Sequence, residues 1–213
     1  MEIFNVNRQA YQHLGVMTWA SLPDMNTVPA GTRVTIIGWM APPSDWVWDG
    51  AYLLPVGGRA VVHAPLLVDA QATGASSLTH VASVPGWSLP VNMADTPRLG
   101  IEVWARCFII NPSNAQARQI FVGTDEVPNA VATHQYTTIS TGHRIWGEVT
   151  RDSESSWMTF ANNAQPAAPG TSQSAATTAN MLSSPIRIYY RGGNTDGSET
   201  LTINNFTIAV GVG

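Results

Sequence analysis

Nowhere does this chain keep apolar residues at i, i+3, i+4 and i+7 long enough to give a helix a buried face; it alternates in short bursts cut by glycine and proline. The 18 glycines and 14 prolines are spread along the whole length. Such a chain is confined to strands and turns, and many short strands at regular spacing build a β-sandwich or jelly roll. The only helix expected is a short turn within 4–14.

Four regions follow. Residues 1–16 mix apolar and polar side chains. Residues 17–63 form a small β module, with strands at 33–39, 45–48, 52–56 and 59–63. Its turns are at Pro29-Ala30-Gly31, Asp49-Gly50 and Gly57-Gly58, of which Asp49-Gly50 is the strongest hairpin signal. Residues 64–78 are small and polar, a linker. Residues 79–213 make a jelly-roll-like sandwich, with strands expected near 79–84, 87–92, 99–110, 118–123, 135–139, 144–150, 156–161, 186–191 and 199–210. The low-complexity run 161–184 reads as a long loop or arm.

The strand 99–110 carries the sharpest expectation. Ile101, Val103, Ala105, Cys107 and Ile109 share one face. The other face should be polar if solvated, yet it holds Trp104, Phe108 and Ile110 beside Glu102 and Arg106. Trp104, Phe108 and Ile110 are therefore expected at a subunit interface, or else under a covering loop. Cys107, the only cysteine, reads as core packing; with one thiol no internal disulfide exists.

Charged residues make up 11% of the chain, against about 25% in an average domain. The ten basic residues are all arginine. Arginine stacks and forms planar bonds at contacts, although GC-rich coding also gives this bias. A net charge of −4 without a basic stripe argues against nucleic-acid binding. No window approaches the roughly 20 apolar residues of a membrane span, and 1–9 has no apolar signal core. Synthesis in the cytoplasm without a signal peptide, and no membrane insertion, are expected.

Catalytic chemistry finds little footing. His13, His63, His80, His134 and His143 lack metal-site spacing. No Gly-x-Ser-x-Gly elbow or phosphate loop occurs. Asn194, Asp196 and Glu199 read as a hydrophilic turn rather than a calcium loop, and Asp152 and Glu154 as a solvated loop rather than a carboxylate pair. No catalytic residue, metal or cofactor is expected. The eight tryptophans are the more pointed feature, since exposed aromatics stack sugar rings. Trp46, Trp48, Trp87, Trp104, Trp146 and Trp157 are the candidates, foremost Trp46, Trp87, Trp146 and Trp157, with core packing or a subunit interface as the alternative for each. Asn205-Phe206-Thr207 fits a glycosylation sequon but is discounted as part of a buried final strand of an unsecreted protein.

Two stretches carry a resemblance. In 18–62, Trp19, Leu22-Pro23, Ala30-Gly31, Trp48, Asp49-Gly50 and Pro55-Val56-Gly57-Gly58 fall in the order of a small module of phage tail-fibre and virion surface proteins. The stretch 87–210 resembles the jelly-roll domain that follows such modules in fibre and head-fibre proteins. The resemblance implies a bacteriophage structural protein on the virion surface, a short fibre, spike or capsid decoration, since almost nothing precedes residue 17. It implies a homotrimer that contacts other virion proteins, docked through Ile3, Phe4, Val6, Tyr11 and Leu14. A module that binds host-surface carbohydrate is the alternative.

Overall fold

The computed structural model describes residues 12–38, 40–65, 70–73, 77–90, 93, 96, 98–110, 118–128, 131–136, 142–153, 156–163, 171–177, 184–192 and 199–212. Turn chemistry places the first sheet. Strands β1 (His13–Thr18), β2 (Arg33–Ile37), β3 (Ser44–Trp48) and β4 (Leu53–Pro55) lie side by side in that order, the first pair parallel. Asp49 and Gly50 close the β3–β4 hairpin. Gly50 sits at φ +107°, a region a side chain rarely adopts, and the Asp49 carboxylate accepts the amides of Ala51 at 2.8 Å and Tyr52 at 2.7 Å. Val34, Ile36, Trp46, Trp48 and Leu53 are buried on one side of this sheet. Trp19 packs edge-on against Trp46, ring centroids 5.3 Å apart.

The remaining strands are β5 (Arg59–His63), β6 (Ala70–Thr73), β7 (Thr79–His80), β8 (Leu99–Ile110), β9 (Arg118–Gly123), β10 (Ala132–Tyr136), β11 (Gly142–Ser153), β12 (Ser156–Asn163), β13 (Thr171–Thr177), β14 (Arg187–Arg191) and β15 (Thr200–Val212). They form two sheets. The larger runs β13-β12-β11-β8-β15-β5, with β6 also on β15; the smaller runs β10-β9-β14-β7. Between them lies one apolar core, with Ile101, Val103, Ile145, Phe206 and Ile208 from the larger sheet and Ile120, Val122, Ile188 and Tyr190 from the smaller. Gly147 marks how closely β11 and the start of β10 approach: a Cβ there would stand 2.3 Å from the Val131 carbonyl oxygen. The fold is an all-β, jelly-roll-like sandwich, as the turn and strand pattern implies.

Several expectations change. The exit strand of the 17–63 module, β5, pairs with β15 and so belongs to the large sheet, and the 64–78 linker contributes β6 to that sheet. The module is therefore joined to the sandwich by backbone pairing. Within the expected strand 87–92, the described residues 87–90 hold a single bridge, between Trp87 and Ile186. The low-complexity run holds a strand after all: β13 pairs along β12, from Trp157 opposite Thr177 to Asn163 opposite Thr171. The expected helical turn at 4–14 lies mostly outside the described residues, and His13 and Leu14 at its end are strand.

Candidate functional site

The outer face of the large sheet is built in cross-strand rungs. β8 and β11 are antiparallel, and their register sets Glu102 opposite Glu148, Trp104 opposite Trp146, Arg106 opposite Arg144 and Phe108 opposite Gly142. Residues directly opposite have Cβ atoms about 5 Å apart, and rungs on one face follow about every 7 Å. Two indoles are thus paired in the middle of the face, with two carboxylates on one side and two guanidinium groups on the other. Trp104 and Trp146 are half-buried; Arg106 and Arg144 are exposed.

β15 completes the surface through an irregularity. Leu201 and Ile203 face the core, and so do Phe206, Ile208 and Val210. That phase changes from odd to even positions, so one extra residue must be absorbed between them. The register shifts between Ile203, opposite Cys107, and Asn205, opposite Arg106. Bulges of this kind re-aim side chains. Here Asn204 and Asn205 are both exposed next to the arginine rung. Trp104, Arg106, Arg144, Trp146, Asn204 and Asn205 line an open groove of about 830 Å³. Its described lining holds indole faces, amides and guanidinium groups, with no hydroxyl, thiol, imidazole or carboxylate for nucleophilic or acid–base chemistry.

Arg59, from β5, supports the tryptophan rung. Its guanidinium carbon lies 4.4 Å from the Trp104 ring centroid, and its Nη2 stands 2.6 Å from Glu102 Oε2. One carboxylate of the glutamate rung is thereby paired. The other, on Glu148, accepts the Thr150 hydroxyl at 3.3 Å.

Elsewhere the ionisable groups serve the fold. Arg118 and Glu199 are fully buried; Arg118 Nε donates to Glu199 Oε2 at 2.6 Å, and its Nη2 stands 2.5 Å from the same oxygen. The Tyr190 hydroxyl donates to the other oxygen of Glu199. Glu199, expected in a hydrophilic turn, is thus a core group, while Asn194 and Asp196 lie outside the described residues. Burial first, then the hydrogen bond to Asp125, raises the Tyr189 phenol well above its ordinary value. Burial lowers His80, with Arg187 adding to the effect and Asp125 opposing it. Among the described residues, no group of three or more His, Cys, Asp or Glu stands close enough to hold a metal ion.

The structure sorts the residues expected from sequence. Trp46 and Trp87, expected as sugar platforms, are 0% and 4% exposed and have no face to offer a ligand. Trp48 is likewise buried beside a smaller hollow at 23–26 and 51–53. Trp146 lies in the groove, and Trp157 is placed on β12 opposite Arg151, its side chain outside the described residues. Of the expected interface set, Trp104 is half-buried and Phe108 is 41% exposed; the Ile110 side chain is outside the described residues. Ile3, Phe4, Val6 and Tyr11 lie outside them too. Leu14, expected to seek an external partner, packs against the chain's own core. Asn205 is exposed, so burial, one of the two reasons for discounting its sequon, does not hold. Arg106, Arg144, Asn204 and Asn205 were not expected in a site. The phase change across Asn204-Asn205 is the signal that points to the last two.

No family model matches the chain, and no curated protein matches it. Among solved structures, arcelin-5, a lectin-like defence protein from Phaseolus vulgaris, is similar at 10% identity over 73% of this chain and 92% of its own, with a TM-score of 0.33. Lectin I from Ulex europaeus, in complex with the methyl glycoside of α-L-fucose, gives 8% identity over 72% and 92%, TM-score 0.30. The lectin UEA-II complexed with galactose gives 7% over 84% and 86%, TM-score 0.28. At these identities and scores the likeness is one of all-β architecture alone. The phage-fibre resemblance is corrected: the exit strand of the quoted module pairs with β15 and belongs to the large sheet. The virion structural reading is set aside with it; of its docking residues, all but Leu14 lie outside the described residues.

Proposed function

We propose that this chain is a carbohydrate-binding protein whose ligand lies across the Trp104–Trp146 rung. The observation that carries the reading is the in-register indole pair, half-exposed in an 830 Å³ groove and flanked by amide and guanidinium donors. An indole offers a flat apolar surface to the C–H face of a sugar ring, while planar polar side chains bond its hydroxyls. One face of Trp104 is taken by Arg59. Trp146, with no such cation over it among the described residues, is the principal platform. A glycan array probed with the native protein and with Trp146→Ala tests this: selective binding by the native chain should disappear in the variant, and equal profiles would contradict it.

A second reading draws on Phe108, which at 41% exposed extends the apolar character of the same face. Covering it with another copy of the chain gives the self-association that the apolar second face of 99–110 leads one to expect. The two readings compete for the same surface. Light scattering separates them: a stable multiple of 22.8 kDa that Phe108→Ser reduces to the monomer favours the interface.

A further inference from the structure

We infer that the groove selects acidic saccharides, with a sugar carboxylate seated between Arg106 and Arg144. The inference rests on the carbohydrate-binding reading and adds the class of ligand. Its basis is the arginine rung. Two guanidinium groups are set directly opposite one another on neighbouring strands, an arrangement that like-charge repulsion disfavours. Three other arginines of the fold have anionic partners: Arg59 has Glu102, Arg118 has Glu199 and Arg187 has Asp125. Arg106 and Arg144 have no carboxylate within ion-pair reach among the described residues. They are exposed, and they adjoin the rung suited to stacking a sugar ring.

Geometry favours a carboxylate over a lone charge. The guanidinium fork presents parallel N–H donors that match the two oxygens of a carboxylate. A pyranose ring is about 5 Å across, and the tryptophan and arginine rungs are about 7 Å apart along the strands. A ring stacked on Trp146 thus places an exocyclic carboxylate over the arginine rung. Asn204 and Asn205, brought to the same end by the bulge, supply amides for the neighbouring hydroxyls. The glutamate rung stands outside the groove, on the side of the tryptophan rung away from the arginines, and orients the ligand with its charge toward Arg106 and Arg144. Glu102 is already paired with Arg59. Glu148 lies four residues from Arg144, about 13 Å along the strand and beyond the screening length of about 8 Å at physiological salt. It directs without cancelling.

The test measures binding of three immobilised sets: oligogalacturonate and hyaluronan oligosaccharides, the same oligosaccharides with their carboxyl groups reduced to alcohols, and heparin-type sulfated oligosaccharides. The native chain, the pair Arg106→Gln with Arg144→Gln, and Trp146→Ala are compared, each checked for an unchanged circular dichroism spectrum. The expected result is at least about tenfold tighter binding to a carboxylated member than to its reduced form, an advantage lost in the arginine pair and in high salt. Trp146→Ala should abolish binding to both forms. Equal binding of carboxylated and reduced forms, unaffected by the arginine changes but lost in Trp146→Ala, overturns the inference and leaves the carbohydrate reading standing. Preference for the sulfated set overturns the carboxylate assignment. Absence of binding to every set and to neutral glycans on an array overturns both.

Discussion

The Arg59 guanidinium lies 4.4 Å above the Trp104 ring and at the same time reaches Glu102 at 2.6 Å, so a strand that enters from the N-terminal region fixes one wall of the groove. The ion pair itself contributes little, because the Arg59 side chain is 48% exposed and water screens it. The cation–π contact fixes the indole. Arg59→Ala should lower stability by about 0.5–1 kcal/mol. It should also weaken glycan binding several-fold by freeing Trp104. Arg59→Lys, which keeps a cation but loses the planar stack, should fall between. Urea titration and glycan titration of the three proteins check this, and unchanged affinity in Arg59→Ala would show that Trp104 needs no such support.

Cys107 lies on the core side of β8 at 1% exposed, and burial pushes its thiol up to about 12. A thiol so placed stays protonated and unreactive at neutral pH. A maleimide should label the folded protein only at the rate of global unfolding. Cys107→Ala should cost about 1 kcal/mol of lost burial. Cys107→Ser should cost more, about 1–3 kcal/mol, because a hydroxyl is carried from water into apolar surroundings.

The Arg118–Glu199 pair joins β9 to the start of β15 with both side chains fully buried. Removing either partner strands a charge in the core. Arg118→Ala or Glu199→Ala should therefore cost about 3–5 kcal/mol, while replacing both together by methionine and leucine should cost far less than the sum. Chemical denaturation of the single and double variants reads the coupling; additive losses would mean that the two charges act independently.

Stability should also depend on the His63 ring. Its Nε2 donates to the Pro85 carbonyl at 2.9 Å, and its ring meets Phe206 edge-on. Burial holds its pKa below the ordinary 6.5, with the Pro85 bond opposing. Above 6.5 the ring is neutral in both folded and unfolded chains and costs nothing. As pH falls below 6.5 the unfolded chain takes up the proton first, so stability declines until the lower folded pKa is passed and then levels. Melting temperatures of the native chain and His63→Gln, from about pH 7.5 to about pH 5, should show a slope that is shallower in the variant.

How much of this was legible from sequence depends on whether a feature is local. The Asp49-Gly50 hairpin and the strands 99–110 and 118–123 are set by neighbours a few residues apart, and all three are found. The buried face of β8, with Cys107 on it, follows from alternation. The site was less legible because its parts meet through register. Arg106 and Arg144 are far apart in sequence, and nothing local shows that β8 and β11 set them opposite each other. Tryptophan identity alone does not separate Trp46, sealed by Trp19 and its own sheet, from Trp146 on an outer face. The strand at Thr171–Thr177 escapes for a related reason: its small polar residues carry no apolar alternation, and β12 supplies its pairing.

A saccharide lying across the Trp104–Trp146 rung should shield both indoles. Oxidation by N-bromosuccinimide, mapped by peptide mass spectrometry with and without a bound glycan, tests it most directly. Trp146, and to a lesser degree Trp104, should be oxidised in the free protein and protected by the glycan, while buried Trp46 and Trp87 stay unmodified in both. Glycan binding that leaves Trp146 as readily oxidised as in the free protein would place the ligand elsewhere and contradict the claim.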